Sequence, residues 1–310
     1  MTDEDADTGA DAAWFAGDDG SPSDRVRTGG ADAPADWPAL AVERGVATDT
    51  DDYESRLRAA TREAARETVR ERERADDQQL IHAVRAMDDA RRTANELAER
   101  VTEWGGSLFD LDPETADTTA DEEETTAADV GVESDEADAG VAYARALARR
   151  DPEGPAERRV VSLAARVAAV ADEADALAAY VAEHAPTVAP NLAALAGSRL
   201  AARLLSLAGG LEELAKQPSG TLQVLGAEDA LFAHLRGNAP SPKHGVIYTH
   251  DYVRNTHPDD RGSAARALAG KLSIAARVDH YAGDRRPELE RELDERIRTI
   301  RARTGGGDGE

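Results

Sequence analysis

Lys243 and His244 stand at the tip of a proline-stiffened loop, Gly237–Asn238–Ala239–Pro240–Ser241–Pro242–Lys243–His244–Gly245. A lysine there can contact phosphate, and a histidine can stack on an unpaired base. Lysine is otherwise scarce: Lys216, Lys243 and Lys271 are three of the 37 Lys and Arg. A second set lies on a helix expected over 258–281. Gly262, Arg266, Gly270, Ser273 and Arg277 follow one another at steps of 4, 4, 3 and 4, which puts them on one stripe. Two arginines among residues with almost no side chain admit either a phosphate backbone or a neighbouring helix.

Catalytic chemistry has little to work with. The seven histidines are His82, His184, His234, His244, His250, His257 and His280. His244, His250 and His257 lie six and seven apart, without the spacing of metal ligands on a helix. No nucleophile elbow, Walker or dinucleotide glycine pattern occurs. With no cysteine, thiol catalysis, disulfides and Cys-based metal sites are excluded. The expected active-site, metal and cofactor complement is none.

Charge separates the chain into two parts. The 310 residues carry 62 Asp and Glu and a net charge of −25. Arg in place of Lys beside a large acidic excess is the composition of an extreme halophile, whose hydrated carboxylates stay soluble in concentrated salt. Yet residues 186–304 hold 17 basic and 14 acidic side chains. A mildly basic segment in so acidic a background points to a polyanion site.

Helices must position these residues. Residues 1–50 are rich in Gly, Asp, Ala and Pro, with a strand-like signal only at Ala13–Trp14–Phe15. Residues 51–109 are helical, with an apolar stripe Leu80, Val84, Met87, Ala94, Leu97, Val101, Trp104 ended by Gly105–Gly106. Residues 110–138 hold thirteen acids and no base, the pattern of a disordered linker. An arm at 139–185 follows. In it Val160, Leu163, Val167, Val170, Ala174, Leu177 and Val181 alternate steps of 3 and 4, the seam of a coiled coil or a helical hairpin. Pro186 and Pro190 close the arm. A compact helical domain spans 186–304, with an apolar run at Val246–Ile247–Tyr248, and 305–310 is a flexible tail. No membrane span of about 20 apolar residues is present, so a soluble cytoplasmic protein is expected.

The C-terminal half resembles the Nop domain of archaeal box C/D ribonucleoprotein core proteins. The matching blocks are VAPNLAAL (188–195), AARLLSLAGGLEELAKQPSGTLQVLGAEDALFAHLRG (201–237), PSPKHGVIYTH (240–250) and RGSAARALAGKLSIAARVDHYAG (261–283). DDQQLIHAVRAMDDARRTANELAERVTEW (76–104) resembles the family's segment before its coiled coil. The resemblance implies a mainly α fold: a helical Nop domain, a coiled-coil arm and a small, poorly defined α/β N-terminal domain. It implies a non-catalytic scaffold for guided 2′-O-ribose methylation. The Nop domain would bind box C/D guide RNA already held by a kink-turn-binding protein of the ribosomal L-seven family. The arm would pair with a second copy. The N-terminal domain would dock fibrillarin, which uses S-adenosylmethionine. The alternative is a Nop-domain RNA-binding protein that no longer recruits fibrillarin.

By position, the family's Gly-Ala-Glu-Lys motif falls on Gly226, Ala227, Glu228 and Asp229, and its Pro-Lys-His-Gly loop on Pro242, Lys243, His244 and Gly245. Its basic helix falls on Arg261, Arg266, Lys271 and Arg277. Asp229 and Ser263 stand where the family usually has lysine. The expected RNA contacts are Lys243, His244, Arg261, Arg266, Lys271 and Arg277, then Arg199, Arg203 and Arg236.

Overall fold

A computed structural model describes residues 14–15, 20–28, 35–111 and 134–304. It divides into two units, Met1–Ala75 and Asp76–Glu310. The division falls inside the segment 51–109 that the sequence pattern joins. Among the described residues the fold is helical, with no strand.

In the first unit, α1 (Pro22–Thr28), α2 (Trp37–Glu43) and α3 (Thr50–Glu73) follow one another. Asp36 and Asp49 cap α2 and α3, accepting from the amides of Ala39 (3.2 Å) and Asp52 (2.8 Å). Trp14 and Phe15, expected in a strand, form a turn instead. Their rings gather round Tyr53 at the start of α3, 6.0 and 6.1 Å between centroids. Aromatic burial onto a helix, with Ala41 and Ala47, replaces strand pairing. Arg27 reaches both carboxylate oxygens of Glu71 at 2.8 Å and ties α1 to α3.

The second unit begins with a hairpin arm. It is built from α4 (Asp76–Gly106), α5 (Ser134–Leu147) and α6 (Pro155–Val188). Leu80, Ile81, Val84 and Met87 of α4 share one cluster with Val181 and Ala185 of α6. Ala98 and Val101 share another with Val160, Ala164 and Val167. The helices are therefore antiparallel, and the heptad seam is filled by this chain's own α4 and α5. Val160, Val167, Ala174 and Val181 are at most 1% exposed. The alternate positions Leu163, Val170 and Leu177 are only half-buried along one flank.

Helix α4 ends at the expected glycine pair, with Gly106 its last residue. Gly105 lies under α5, where an added Cβ would meet Leu147 at 2.7 Å and the Tyr143 hydroxyl at 2.8 Å. Two expectations fail in this arm. Trp104, on the expected stripe, is 41% exposed. Nor does Pro186 stop α6, which continues to Val188. A proline lacks the N–H that would bond the carbonyl four residues back. That carbonyl, of Ala182, instead accepts from the Ser198 hydroxyl at 3.3 Å. The helix α5 begins at Ser134, inside the expected acidic linker; residues 112–133 lie outside the described ones.

The remaining helices are α7 (Pro190–Ala196), α8 (Ser198–Ala208), α9 (Leu211–Lys216), α10 (Ser219–Val224), α11 (Glu228–Leu235), α12 (Asp251–Arg254), α13 (Arg261–Tyr281) and α14 (Glu288–Thr304). Gly197, at φ +77, breaks one continuous apolar pattern into α7 and α8. The centre is α13. Its Ala264, Ala265, Leu268, Ala269, Leu272, Ala275 and Ala276 are at most 1% exposed, and the small side chains let neighbouring helices approach closely. Asp279 near its end pins the start of α7. The carboxylate accepts from the amides of Asn191 (3.0 Å) and Leu192 (2.8 Å) and from the Asn191 side chain (2.6 Å). The Asn191 oxygen in turn accepts from the Arg286 amide at 2.6 Å, which holds the turn into α14.

Candidate nucleic-acid interface

The loop bearing Lys243 and His244 is clamped at its base by backbone contacts. The Gly245 amide donates to Gln223 O and the Val246 amide to Leu225 O, both at 2.8 Å. The Gln223 side-chain amide donates to Lys243 O at 2.7 Å. So close is this approach that a Cβ on Gly245 would stand 2.0 Å from Leu225 O. Gly226 crosses the same junction at φ +83, the left-handed region that favours glycine. Its amide donates to Glu228 Oε1 at 2.8 Å. The two glycines of the expected motifs thus meet at one backbone crossing. Pro242 is half-buried beside it, Ala227 caps α11, and Asp229 is exposed in the first turn of α11. His234 of α11 donates from Nδ1 to Ala239 O at 3.0 Å and holds the loop's other limb.

At the tip, Lys243 is exposed and makes no ion pair among the described residues. Gly262 lies under its stem: a Cβ there would be 3.9 Å from the lysine's aliphatic carbons. His244 stacks on Tyr248, 4.6 Å between centroids with planes at 22°. The Arg261 guanidinium lies 5.4 Å from the centroid of the Tyr248 ring. Burial, then the charges of Arg261 and Lys243, hold the His244 ring below the usual histidine pKa. At neutral pH it is an uncharged, flat, polar-edged ring beside two cations. The apolar run Val246–Ile247–Tyr248 lies in a 3₁₀ turn, Val246–Thr249. His250 then caps α12. Its Nδ1 accepts from the Tyr252 amide at 3.1 Å, so Nε2–H donates to Leu195 O at 2.9 Å.

The other expected contacts divide. Arg266 is exposed on α13 and Arg236 is exposed at the end of α11. Arg277 is turned onto the end of α9, donating to Ala215 O (3.1 Å) and Gln217 O (3.3 Å). Lys271 is paired with Glu292 of α14. Arg203 makes a two-pronged pair with Asp88 of α4, at 2.8 and 3.2 Å. Arg199 is half-buried in the first turn of α8. Ser273 is buried, its hydroxyl facing Gln217 O at 3.4 Å, so the small-residue stripe is interrupted by packing. Lys243, His244 and Arg261 therefore come together, whereas Lys271, Arg277 and Arg203 are spent on holding helices.

The Nop family model, described as a snoRNA-binding domain, fibrillarin, matches residues 114–301. That is more than half of the chain. The chain belongs to the Nop family. An uncharacterized NOP5 family protein of Methanocaldococcus jannaschii is 54% identical over 36% of this chain and 27% of its own length. Nucleolar protein 56 of Saccharomyces cerevisiae is 33% identical over 67% of this chain and 44% of its own. Nucleolar protein 58 of Yarrowia lipolytica is 32% identical over 72% and 45%. The chain spans less than half the length of these curated relatives. A chain in the crystal structure of a fibrillarin/NOP5P complex aligns over 94% of this chain and 99% of its own, at 20% identity and a TM-score of 0.49.

Within the Nop domain, sequence reasoning missed Tyr248, Gln223, Thr256 and Arg301. Tyr248 carried a signal, an aromatic four residues after His244. The other three act on backbone carbonyls or through each other, and nothing in their spacing marks them. Among the described residues no cluster of three metal-ligating side chains occurs, and no helix is long and apolar enough to cross a membrane.

Proposed function

We propose that this chain is a non-catalytic scaffold of a box C/D guide ribonucleoprotein that directs 2′-O-methylation of RNA. The observation carrying the reading is the loop tip. Among the described residues Lys243 stands clear of ion pairs beside a neutral stacked His244, on a loop clamped at Gly245. Lysine supplies phosphate affinity and the flat ring suits an unpaired base of a kinked RNA. Arg266 and Arg236 extend the cationic surface. The RNA would be presented by a kink-turn-binding protein of the ribosomal L-seven family. The first unit would recruit fibrillarin, which brings S-adenosylmethionine. A second copy would meet the half-buried flank Leu163, Val170 and Leu177, since the seam itself is closed within one chain.

The test is reconstitution in concentrated KCl with a kink-turn box C/D RNA, the kink-turn protein and fibrillarin. Methyl transfer to a guided ribose that requires this chain is the expected result. Binding without methyl transfer leaves an RNA-binding Nop module that no longer recruits fibrillarin. No binding to the RNA–protein complex sinks the reading.

A further inference from the structure

Arg261 looks in sequence like one more phosphate contact, but its surroundings give it another task. We infer that Arg261 is a positioning residue that holds the Tyr248–His244 stack in place for RNA, and that Arg301 of α14 supports it through Thr256. The inference rests on the RNA-binding reading above.

A guanidinium presents five N–H donors in a fixed fork. In Arg261 the Nε donates to Thr256 O at 3.1 Å and Nη2 to Arg254 O at 3.3 Å. Both carbonyls belong to the turn that ends α12. The fork is therefore fixed by the backbone on one edge, while the guanidinium lies by the Tyr248 ring. A phosphate competing for the same edge would have to break two bonds to carbonyls, and phosphate contact gains nothing from the ring beneath. Lys243 differs, being exposed and without a carbonyl or carboxylate partner among the described residues.

The turn that anchors Arg261 is itself anchored. Thr256 is 3% exposed. Its hydroxyl donates to Tyr252 O at 2.7 Å and accepts from Arg301 Nε at 3.1 Å. Arg301 Nη2 donates to Asp251 O at 2.9 Å, at the other end of α12. Arg301 thus spans α12 from both ends. The line Arg301–Thr256–Arg261–Tyr248–His244 connects the last helix of the domain to the loop tip by one contact per step. A displacement at Arg301 is passed to His244 through α12, without Arg301 touching RNA.

Salt dependence separates contact from position. Each phosphate contact released lowers the slope of log affinity against log salt by about one, whereas a lost positioning group weakens binding without changing the slope. The experiment uses the full chain, a kink-turn box C/D RNA with its kink-turn protein, and a KCl series. Lys243→Gln is the contact control and should lower the slope by about one. Arg261→Lys and Arg261→Gln should each weaken binding about tenfold with the slope retained, because lysine keeps the charge but not the fork. Arg301→Gln should weaken binding about threefold, again with the slope retained. A slope lowered by about one in Arg261→Gln and restored in Arg261→Lys would make Arg261 a phosphate contact and overturn the inference.

A second readout needs no RNA. The imidazole resonances of His244 should shift in Arg261→Lys and in Arg301→Gln, because the ring it stacks on is no longer held. Unchanged His244 resonances in both variants overturn the inference even where RNA binds. Should the wild-type chain bind no RNA, the RNA-binding reading falls, and this measurement still decides whether Arg301 and Arg261 position His244.

Discussion

The loop site and the hairpin arm solve the same problem, fixing helices and turns against one another, by opposite means. In the arm, apolar side chains from α4, α5 and α6 share the work, and many are small: Ala98, Ala144, Ala164, Ala171 and Ala174. The site instead depends on single contacts, each with no substitute. Gly245 admits a carbonyl, Gln223 holds another, and Arg261 bridges a turn and a ring. Dispersed apolar packing tolerates a loss by partial collapse. A close backbone crossing does not, because neither strand of chain can retreat without losing its hydrogen bonds. Damage at the backbone crossing should therefore be all-or-none, and in the arm graded.

The severest break should come from Gly245→Ala. Its φ of −107 lies outside the left-handed region, and the expected damage follows from the contact an added Cβ would make. A methyl group 2.0 Å from Leu225 O must separate the loop from α10, and the expected cost is about 4 kcal/mol or more. Urea unfolding in concentrated KCl reads the stability, and RNA binding should vanish with it. Leu147→Ala is the matching test in the arm. The side chain is fully buried against α4 and α6, and its loss should cost about 3 kcal/mol. Under conditions where the variant stays folded, its RNA affinity should equal the wild type's. A loss of affinity there would show that the arm is not the independent packing unit its contacts describe.

A smaller effect sharpens the comparison on the site's own side. Tyr252 of α12 donates its hydroxyl to Asp294 of α14. Burial, then that bond to a carboxylate, pushes the phenol up to about 12. Tyr252→Phe removes a partly buried, charge-assisted bond and should cost about 1–2 kcal/mol. The sign of its pH dependence follows from a raised folded pKa. The bond's stabilisation is full below the ordinary value of 10.0 and is lost as pH rises through about 12. The gap between wild type and Tyr252→Phe in urea midpoints should therefore close over that range. A gap that persisted above it would place the contribution in packing rather than in the proton.

The two regions also differed in how much their sequence disclosed. The arm's stripes on α4 and α6 were legible because a heptad is a statement about one helix face, and Val160, Val167, Ala174 and Val181 are buried as the spacing requires. What closes them was not legible, since a seam is equally satisfied by a second copy or by the chain's own α4. Lys243, His244 and Arg261 were legible by type and by the Nop resemblance. Their supports were not. Tyr248 sat in a short apolar run that marks no partner, and Thr256 and Arg301 meet only after α12 and α14 pack. The breaks at Gly197 and Gly226 were lost for a similar reason: a glycine after an apolar run is compatible with a continuing helix until its φ is known. The expected strand at Trp14–Phe15 failed because two adjacent aromatics do not distinguish strand pairing from packing on Tyr53.

The smallest expected effect asks whether the arm's packing is ever sacrificed for polarity. Tyr143 is 0% exposed, and its hydroxyl has no hydrogen-bond partner among the described residues. Burial alone pushes its phenol upward. The hydroxyl was taken out of water with nothing in return, and the ring supplies the contact with α4. Tyr143→Phe should then keep the shape and remove the penalty, leaving stability unchanged or raised by up to about 1 kcal/mol. The same change at Tyr252 should go the other way. Urea midpoints of the two variants, measured side by side at neutral pH, give opposite signs if the site is held by directed bonds and the arm by volume. A destabilised Tyr143→Phe would mean that its hydroxyl has a partner, and that polar contacts hold the arm as they hold the site.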